Sequence, residues 1–178
     1  MLENVLQKVA GKSMFFKPRV MICIPSGVTT VEKRAVLEAT MQSGAAKTYL
    51  IEEPMAAAMG AGLDVGESRG CMVVDIGGGT TDVAVICLGG IVVAESLRVG
   101  GDKFDEAIVR FVKKEHNVLI GERTAEDIKL GVATVSKHGR KAEVTVRGRD
   151  LITGLPTTIR ITSDETYRAM IEPISMLI

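Results

Sequence analysis

At 178 residues the chain is long enough for one domain of ordinary size or two small ones, and its 46% hydrophobic content excludes a disordered segment. Its 22 basic and 22 acidic residues cancel, aromatics make up 3% and Trp is absent, so the sequence carries neither an electrostatic nor a base-stacking footprint for nucleic acid. No stretch has the form of a signal peptide or the length of an apolar membrane span, which reads as a cytosolic chain.

Leu2, Val5, Leu6 and Val9 recur at the spacing of one helix face, closed by Gly11. Gly11-Lys12-Ser13 is not a P-loop, because Leu6 stands where that motif needs its first glycine and a helix precedes it. Phe15 and Phe16 follow between Lys12 and Lys17, as an apolar loop tip able to dip into a membrane or as rings packed inward. Residues 19–24 form a Val/Ile-rich strand stopped by Pro25, and Thr29 with Glu32 makes a capping box for a helix reaching about Gln42. A short strand at 48–51 leads through Glu52 and Glu53 to Pro54, which suits the first turn of a small-residue helix over 55–60. Residues 63–69 are aperiodic and read as a linker.

Strands at 71–76, 81–88 and 91–98, joined by two tight glycine turns, predict an antiparallel meander. Gly100, Gly101 and Asp102 open a helix to about Glu115, with Phe104, Ile108, Phe111 and Val112 on one face. Thr124, with Asp127 at the box position, is expected to cap a helix through Lys129. Alternating strands at 143–149 and 157–162 flank the turn around Gly154, and Ser163-Asp164 caps a last helix. Cys23, Cys71 and Cys87 lie in apolar runs and read as reduced, buried thiols, while His116 and His138 stand among charged residues and read as surface groups.

The first turn of the meander holds three consecutive glycines, Gly77, Gly78 and Gly79. They permit positive φ and let backbone N–H groups approach a ligand with no Cβ in the way, a nest suited to phosphate oxygens. Asp75 stands at the lip, where a carboxylate can hold hydrated Mg²⁺, and Thr80 and Thr81 add hydroxyls. The plainer alternative is a glycine-rich hairpin with Asp75 and Asp82 as solvated turn residues.

The string Asp-Ile-Gly-Gly-Gly-Thr-Thr-Asp over 75–82 resembles the second phosphate motif of the actin-like ATPase superfamily. With Phe16-Lys17-Pro18-Arg19-Val20, Pro25-Ser26-Gly27-Val28-Thr29, Ile51-Glu52-Glu53-Pro54-Met55, Gly121-Glu122-Arg123-Thr124-Ala125-Glu126 and the run 148–156, the chain is similar nearly throughout to MreB, the family of bacterial actin homologues that determine rod shape. The order β-α-β-α then β-β-β-α resembles the back half of one ribonuclease-H-like domain joined to the front half of a second. The resemblance therefore implies an α/β actin-like ATPase fold. Residues 1–62 would end the first domain, 63–70 would be the linker, and 71–178 would begin the second, with its small subdomain at about 132–178.

The same resemblance implies a Mg²⁺-dependent ATPase that polymerises with itself at the inner face of the cell membrane and organises the wall-elongation machinery, with no nucleic-acid partner. Glu53 would orient the attacking water, Thr80 would assist, Gly77, Gly78, Gly79, Thr80 and Thr81 would hold phosphates, and Asp75 would bind Mg²⁺ through water. Gly100, Gly101, Asp102, Glu126 and Lys129 would lie on the ribose and nucleoside side, and Phe15 and Phe16 would enter the bilayer, their small individual affinity multiplied along a filament. Without the resemblance, Glu53 reads as a carboxylate at a helix N-terminus and Glu126 with Lys129 as an exposed i,i+3 ion pair. The chain lacks the family's N-terminal Asp-x-Gly-Thr and C-terminal Gly-Gly-Gly motifs, which implies an internal fragment with little or no turnover alone. It also departs at Asp82 and over 129–132. A chaperone-type or sugar-kinase-type ATPase of the same superfamily is the alternative reading.

Overall fold

Most helices and strands fall where apolar periodicity puts them in a computed structural model that describes residues 2–10 and 17–178. Phe15 and Phe16 lie outside the described residues. The chain divides into two compact units, Met1–Asp75 with Asp82–Ser96, and Ile76–Thr81 with Leu97–Ile178.

The first unit contains α1 (Leu2–Ala10), β1 (Arg19–Ile24), α2 (Thr30–Gln42), β2 (Lys47–Glu52), α3 (Glu53–Gly60) and β3 (Cys71–Ile76) up to Asp75, with most of β4 (Thr81–Cys87) and β5 (Gly90–Leu97). β1 and β2 pair in parallel from Arg19 opposite Lys47 to Ile24 opposite Glu52, and α2 is the crossover that parallel pairing requires. Thr29 caps α2 as expected: its hydroxyl accepts from the Glu32 N–H at 3.3 Å, and the Glu32 carboxylate accepts from the Thr29 N–H at 2.9 Å. Pro54 sits in the first turn of α3, where its missing N–H costs nothing.

The three strands of the meander lie in the order β3-β4-β5. β4 is central and buries Thr81, Asp82, Ala84 and Ile86, which excludes a solvated-turn role for Asp82. The β4–β5 connection places Leu88 at φ 52° and Gly89 at φ 73°, the paired positive values of a primed hairpin turn that matches strand twist. Expectation fails at Cys23, which is exposed because it falls on the outer side of β1, while Cys71 and Cys87 are only half-buried.

The second unit contains α4 (Gly101–His116), β6 (Val118–Leu119), α5 (Glu122–Val132), β7 (Glu143–Asp150), β8 (Pro156–Thr162) and α6 (Ser163–Ser175). α4 stops at Asn117, a left-handed residue at φ 54°, and the next two residues pair antiparallel with β7. This short β6, absent from the sequence reading, explains Gly148. A Cβ there would collide with the Val118 side chain and stand 2.8 Å from the Leu119 carbonyl oxygen. The core joins Ile108 and Val112 of α4, Ala125, Ile128 and Val132 of α5, Val146 and Ile161 of the sheet, and Met170 of α6. Truncating one of its fully buried isoleucines to Ala would cost about 2–5 kcal/mol.

Two expected caps shift. α5 begins at Glu122 behind Gly121, one turn before Thr124 would start it, because the Gly121 carbonyl already accepts from the Ala125 N–H at 3.1 Å and so draws Thr124 into the helix. The cap of α6 is Thr162 rather than Ser163: its hydroxyl and N–H complete a box with Glu165. Glu165 also meets Nε2 of His116 at 2.8 Å, so His116 is a half-buried group tying the end of α4 to the start of α6, not a free surface histidine.

Burial pushes the Glu165 carboxyl up, but donation from the Thr162 N–H, the Thr162 hydroxyl and His116 together outweighs it and holds the group below its ordinary 4.5. A carboxylate lowered on folding contributes fully above its unfolded value and loses that contribution as pH falls through its lower folded value. Urea unfolding followed from pH 6 to pH 3 should therefore show stability falling from about 4.5 downward, and Glu165→Gln should flatten that fall. Thr162→Ala should cost about 1 kcal/mol at neutral pH through the lost cap.

Candidate functional site

The glycine turn is built by carbonyls rather than by unusual torsions. Gly77 donates its N–H to the Thr80 carbonyl at 2.8 Å, which closes a two-residue turn around Gly78 and Gly79. None of the three glycines has a positive φ, contrary to the expectation from sequence. Two of them are small because their surroundings are close. A Cβ on Gly77 would lie 3.3 Å from the Thr80 carbonyl oxygen, and one on Gly78 would lie 3.1 Å from Oδ1 of Asp102.

The turn docks onto the N-terminus of α4. Gly101 donates to the Gly77 carbonyl at 2.9 Å and Asp102 to the Gly78 carbonyl at 2.8 Å, so two of the helix's orphan N–H groups are satisfied by the glycine turn. Gly100 makes this approach possible, since a Cβ there would stand 2.5 Å and 2.6 Å from those same two carbonyl oxygens. With its carbonyls committed to α4, the turn leaves the N–H groups of Gly78 and Gly79 without a backbone acceptor among the described residues.

Beside this junction lies a cavity of about 850 Å³ lined by Gly77, Gly78, Gly101 and Asp102 on one side and by Glu122, Arg123, Glu126 and Lys129 of α5 on the other. It brings together six residues the sequence had assigned to a ligand: Gly77, Gly78, Gly101, Asp102, Glu126 and Lys129. Lys129 does not pair with Glu126. Its ammonium lies 2.7 Å from Oδ2 of Asp105 on α4 and donates to the Gly101 carbonyl at 3.3 Å, both partners being largely buried. Asp105 was missed by sequence reasoning, and its Oδ1 is buried without a partner among the described residues. The available signal was an acid beside Phe104 on a face otherwise apolar.

The remaining candidates are placed differently. Thr81 is buried and donates its hydroxyl to the Val99 carbonyl at 2.7 Å. Gly79 and Thr80 are exposed, and Asp75 is exposed near the end of β3 in the first unit. Glu53 is the first residue of α3, in the first unit. Its neighbour Glu52 is engaged by Lys33 at 3.3 Å, whereas Glu53 makes no ion pair among the described residues.

The sequence model of the MreB/Mbl protein family matches residues 1–178. The chain belongs to the MreB/Mbl family. It is 48% identical over 178 residues to the cell shape-determining protein Mbl of Bacillus subtilis (strain 168), covering 100% of this chain and 54% of that protein. It is 48% identical over 179 residues to the cell shape-determining protein MreB of Escherichia coli (strain K12), covering 100% of this chain and 52% of that protein. The chain thus spans about half the length of the MreB/Mbl relatives it matches. Among solved structures, MreB 5 of Spiroplasma citri bound to AMPPNP is similar with a TM-score of 0.87 and 34% identity, over 98% of this chain and 54% of that one. The MamK double helical filament is similar in fold alone, with a TM-score of 0.69 and 21% identity over 97% of this chain and 52% of that one. The fold is the α/β actin-like ATPase fold, as the MreB resemblance implied.

Gly100→Ala tests the junction. The added methyl must push the Gly77 and Gly78 carbonyls off α4, with an overpacking cost of about 1–3 kcal/mol. The expected result is a lower urea midpoint together with shifted amide resonances at Gly78, Gly79, Gly101 and Asp102, and unchanged resonances there would remove the role given to Gly100.

Proposed function

We propose that this chain is the nucleotide-handling part of an ATP-binding and ATP-hydrolysing cell-shape protein that assembles with copies of itself at the inner face of the cell membrane and organises wall elongation. The observation that carries the reading is the cavity beside the glycine turn, where unengaged amides of Gly78 and the α5 side chains Glu126 and Lys129 offer a phosphate end and a nucleoside end. The AMPPNP named for the Spiroplasma citri relative supports the same ligand class here.

In this reading the Gly78 and Gly79 N–H groups hold phosphate oxygens, Gly77 shapes the turn through its bond to the Thr80 carbonyl, and Thr80 and Thr81 stand beside them. Gly100, Gly101 and Asp102 form the wall on the ribose side. Thr81 acts chiefly by fixing the turn, because its hydroxyl already serves Val99. Asp75, two residues before Gly77, is the carboxylate for a hydrated Mg²⁺, whose chemistry is to neutralise charge on the transferring phosphoryl group. Among the described residues no cluster of three or more Asp, Glu, His or Cys forms an all-protein cage, and Mg²⁺ shared with substrate phosphates needs none. Glu53 orients the water, its carboxylate being unclaimed where Glu52 is held by Lys33. Among the described residues no helix is long and apolar enough to cross a membrane. The membrane contact in this reading is the apolar pair Phe15 and Phe16 between Lys12 and Lys17.

The test is phosphate release with Mg²⁺-ATP, with sedimentation in parallel, on a protein of the relatives' full length carrying these residues. Glu53→Ala should lower turnover by about 10²-fold or more, the size of a general-base contribution, while pelleting with nucleotide is retained. Unchanged turnover would remove Glu53 from the chemistry. Failure of the wild type to pellet with any nucleotide would favour a soluble chaperone-type or sugar-kinase-type ATPase.

A further inference from the structure

The second unit carries another recess, of about 540 Å³, at the turn between α5 and β7 where it meets the first turns of α6. Its lining includes Lys137, His138, Lys141 and Arg168, together with the Tyr167 side chain and a single acid, Asp164. Lys137, Lys141 and Arg168 against Asp164 leave two net positive charges, three when His138 is protonated, on a chain whose formal net charge is zero. None of these three cations makes an ion pair among the described residues.

The recess is shaped before anything enters it. The Thr134 hydroxyl accepts from the Ser136 N–H at 3.2 Å, the Ser136 hydroxyl accepts from the His138 N–H at 3.3 Å, and the Ser136 carbonyl accepts from the Gly139 N–H at 3.0 Å. Gly139 fits because a Cβ there would collide with the Thr134 hydroxyl. Opposite the turn, the Arg168 guanidinium lies over the Phe111 ring, 5.5 Å from its centroid, a contact that leaves its N–H groups able to donate. The backbone that carries Lys137 and His138 is thus set by the turn's own hydrogen bonds, which lowers the part of the ordering cost that the backbone would pay on binding an anion.

We propose that this recess is a second ligand site, distinct from the glycine-turn cavity, and that it binds a small soluble polyphosphate anion. Multiple phosphate oxygens match a guanidinium fork and two ammonium groups better than one carboxylate does. The volume is that of a small-molecule site rather than of a track for an extended acidic peptide. The proposal does not depend on the ATPase reading.

The experiment titrates inorganic pyrophosphate into the whole chain and follows backbone amide resonances at constant ionic strength. The expected result is saturable movement at residues 136–141 and at Tyr167 and Arg168, separable by position from any movement at Gly77, Gly78 and Gly101. Lys141→Glu, at an exposed position, should weaken this response roughly tenfold or more with the thermal midpoint unchanged, and Arg168→Gln should do so independently. Movement confined to the glycine turn, or movement in both variants as large as in the wild type, would overturn the site. So would a linear, unsaturated response matched by sulfate. Binding to vesicles of phosphatidylglycerol or to a hexaglutamate peptide in preference to pyrophosphate would overturn the ligand class.

Discussion

Two backbone hydrogen bonds organise the second unit: Gly77 and Gly78 carbonyls accepting from Gly101 and Asp102. They do three things at once. They cap α4 without a side chain, they fix the glycine turn against a sixteen-residue helix, and they engage the Gly77 and Gly78 carbonyls while the Gly78 and Gly79 N–H groups stay without a backbone acceptor among the described residues. Gly100 is the condition for all three, because no other residue lets the two backbones come so close.

The rest of the unit is arranged to hold α4 still. Its apolar face contributes Ile108 and Val112 to a core shared with α5, the sheet and α6. Its C-terminal turn is held by His116 against Glu165, the residue that also closes the α6 cap. Near its N-terminal end, Asp105 holds Lys129 across from α5. The helix is therefore tethered by packing in the middle and by polar contacts at both ends, and the cavity wall it provides has little freedom to move.

Much of this was legible from residues alone. The capping box at Thr29 and Glu32, Pro54 at the head of α3 and the order of the meander follow from local chemistry, which a sequence states directly. What was not legible depended on partners distant along the chain. Gly148 is explained only when β6 lies against it, and Thr124 loses its capping role because α5 starts a turn earlier, behind Gly121. The glycine run drew notice for its conformational freedom, yet its torsions are ordinary, and what an added side chain would crowd there is the Thr80 carbonyl and the Asp102 carboxylate. Lys129 was found but its partner was not, since an i,i+3 neighbour can be read from a helix and a residue 24 positions away cannot.

The charge contributed to the glycine-turn cavity by α4 and α5 together bears on the proposed ligand. Four carboxylates, Asp102, Asp105, Glu122 and Glu126, surround two cations, Arg123 and Lys129, and one of those cations is already neutralised by Asp105. An approaching bare polyanion meets a mouth of its own sign, and its encounter rate suffers accordingly. A polyanion that arrives already complexed to a divalent cation meets less repulsion. On the proposed phosphate-binding reading, the charge lining this cavity therefore favours entry of the cation-complexed form over the bare polyanion.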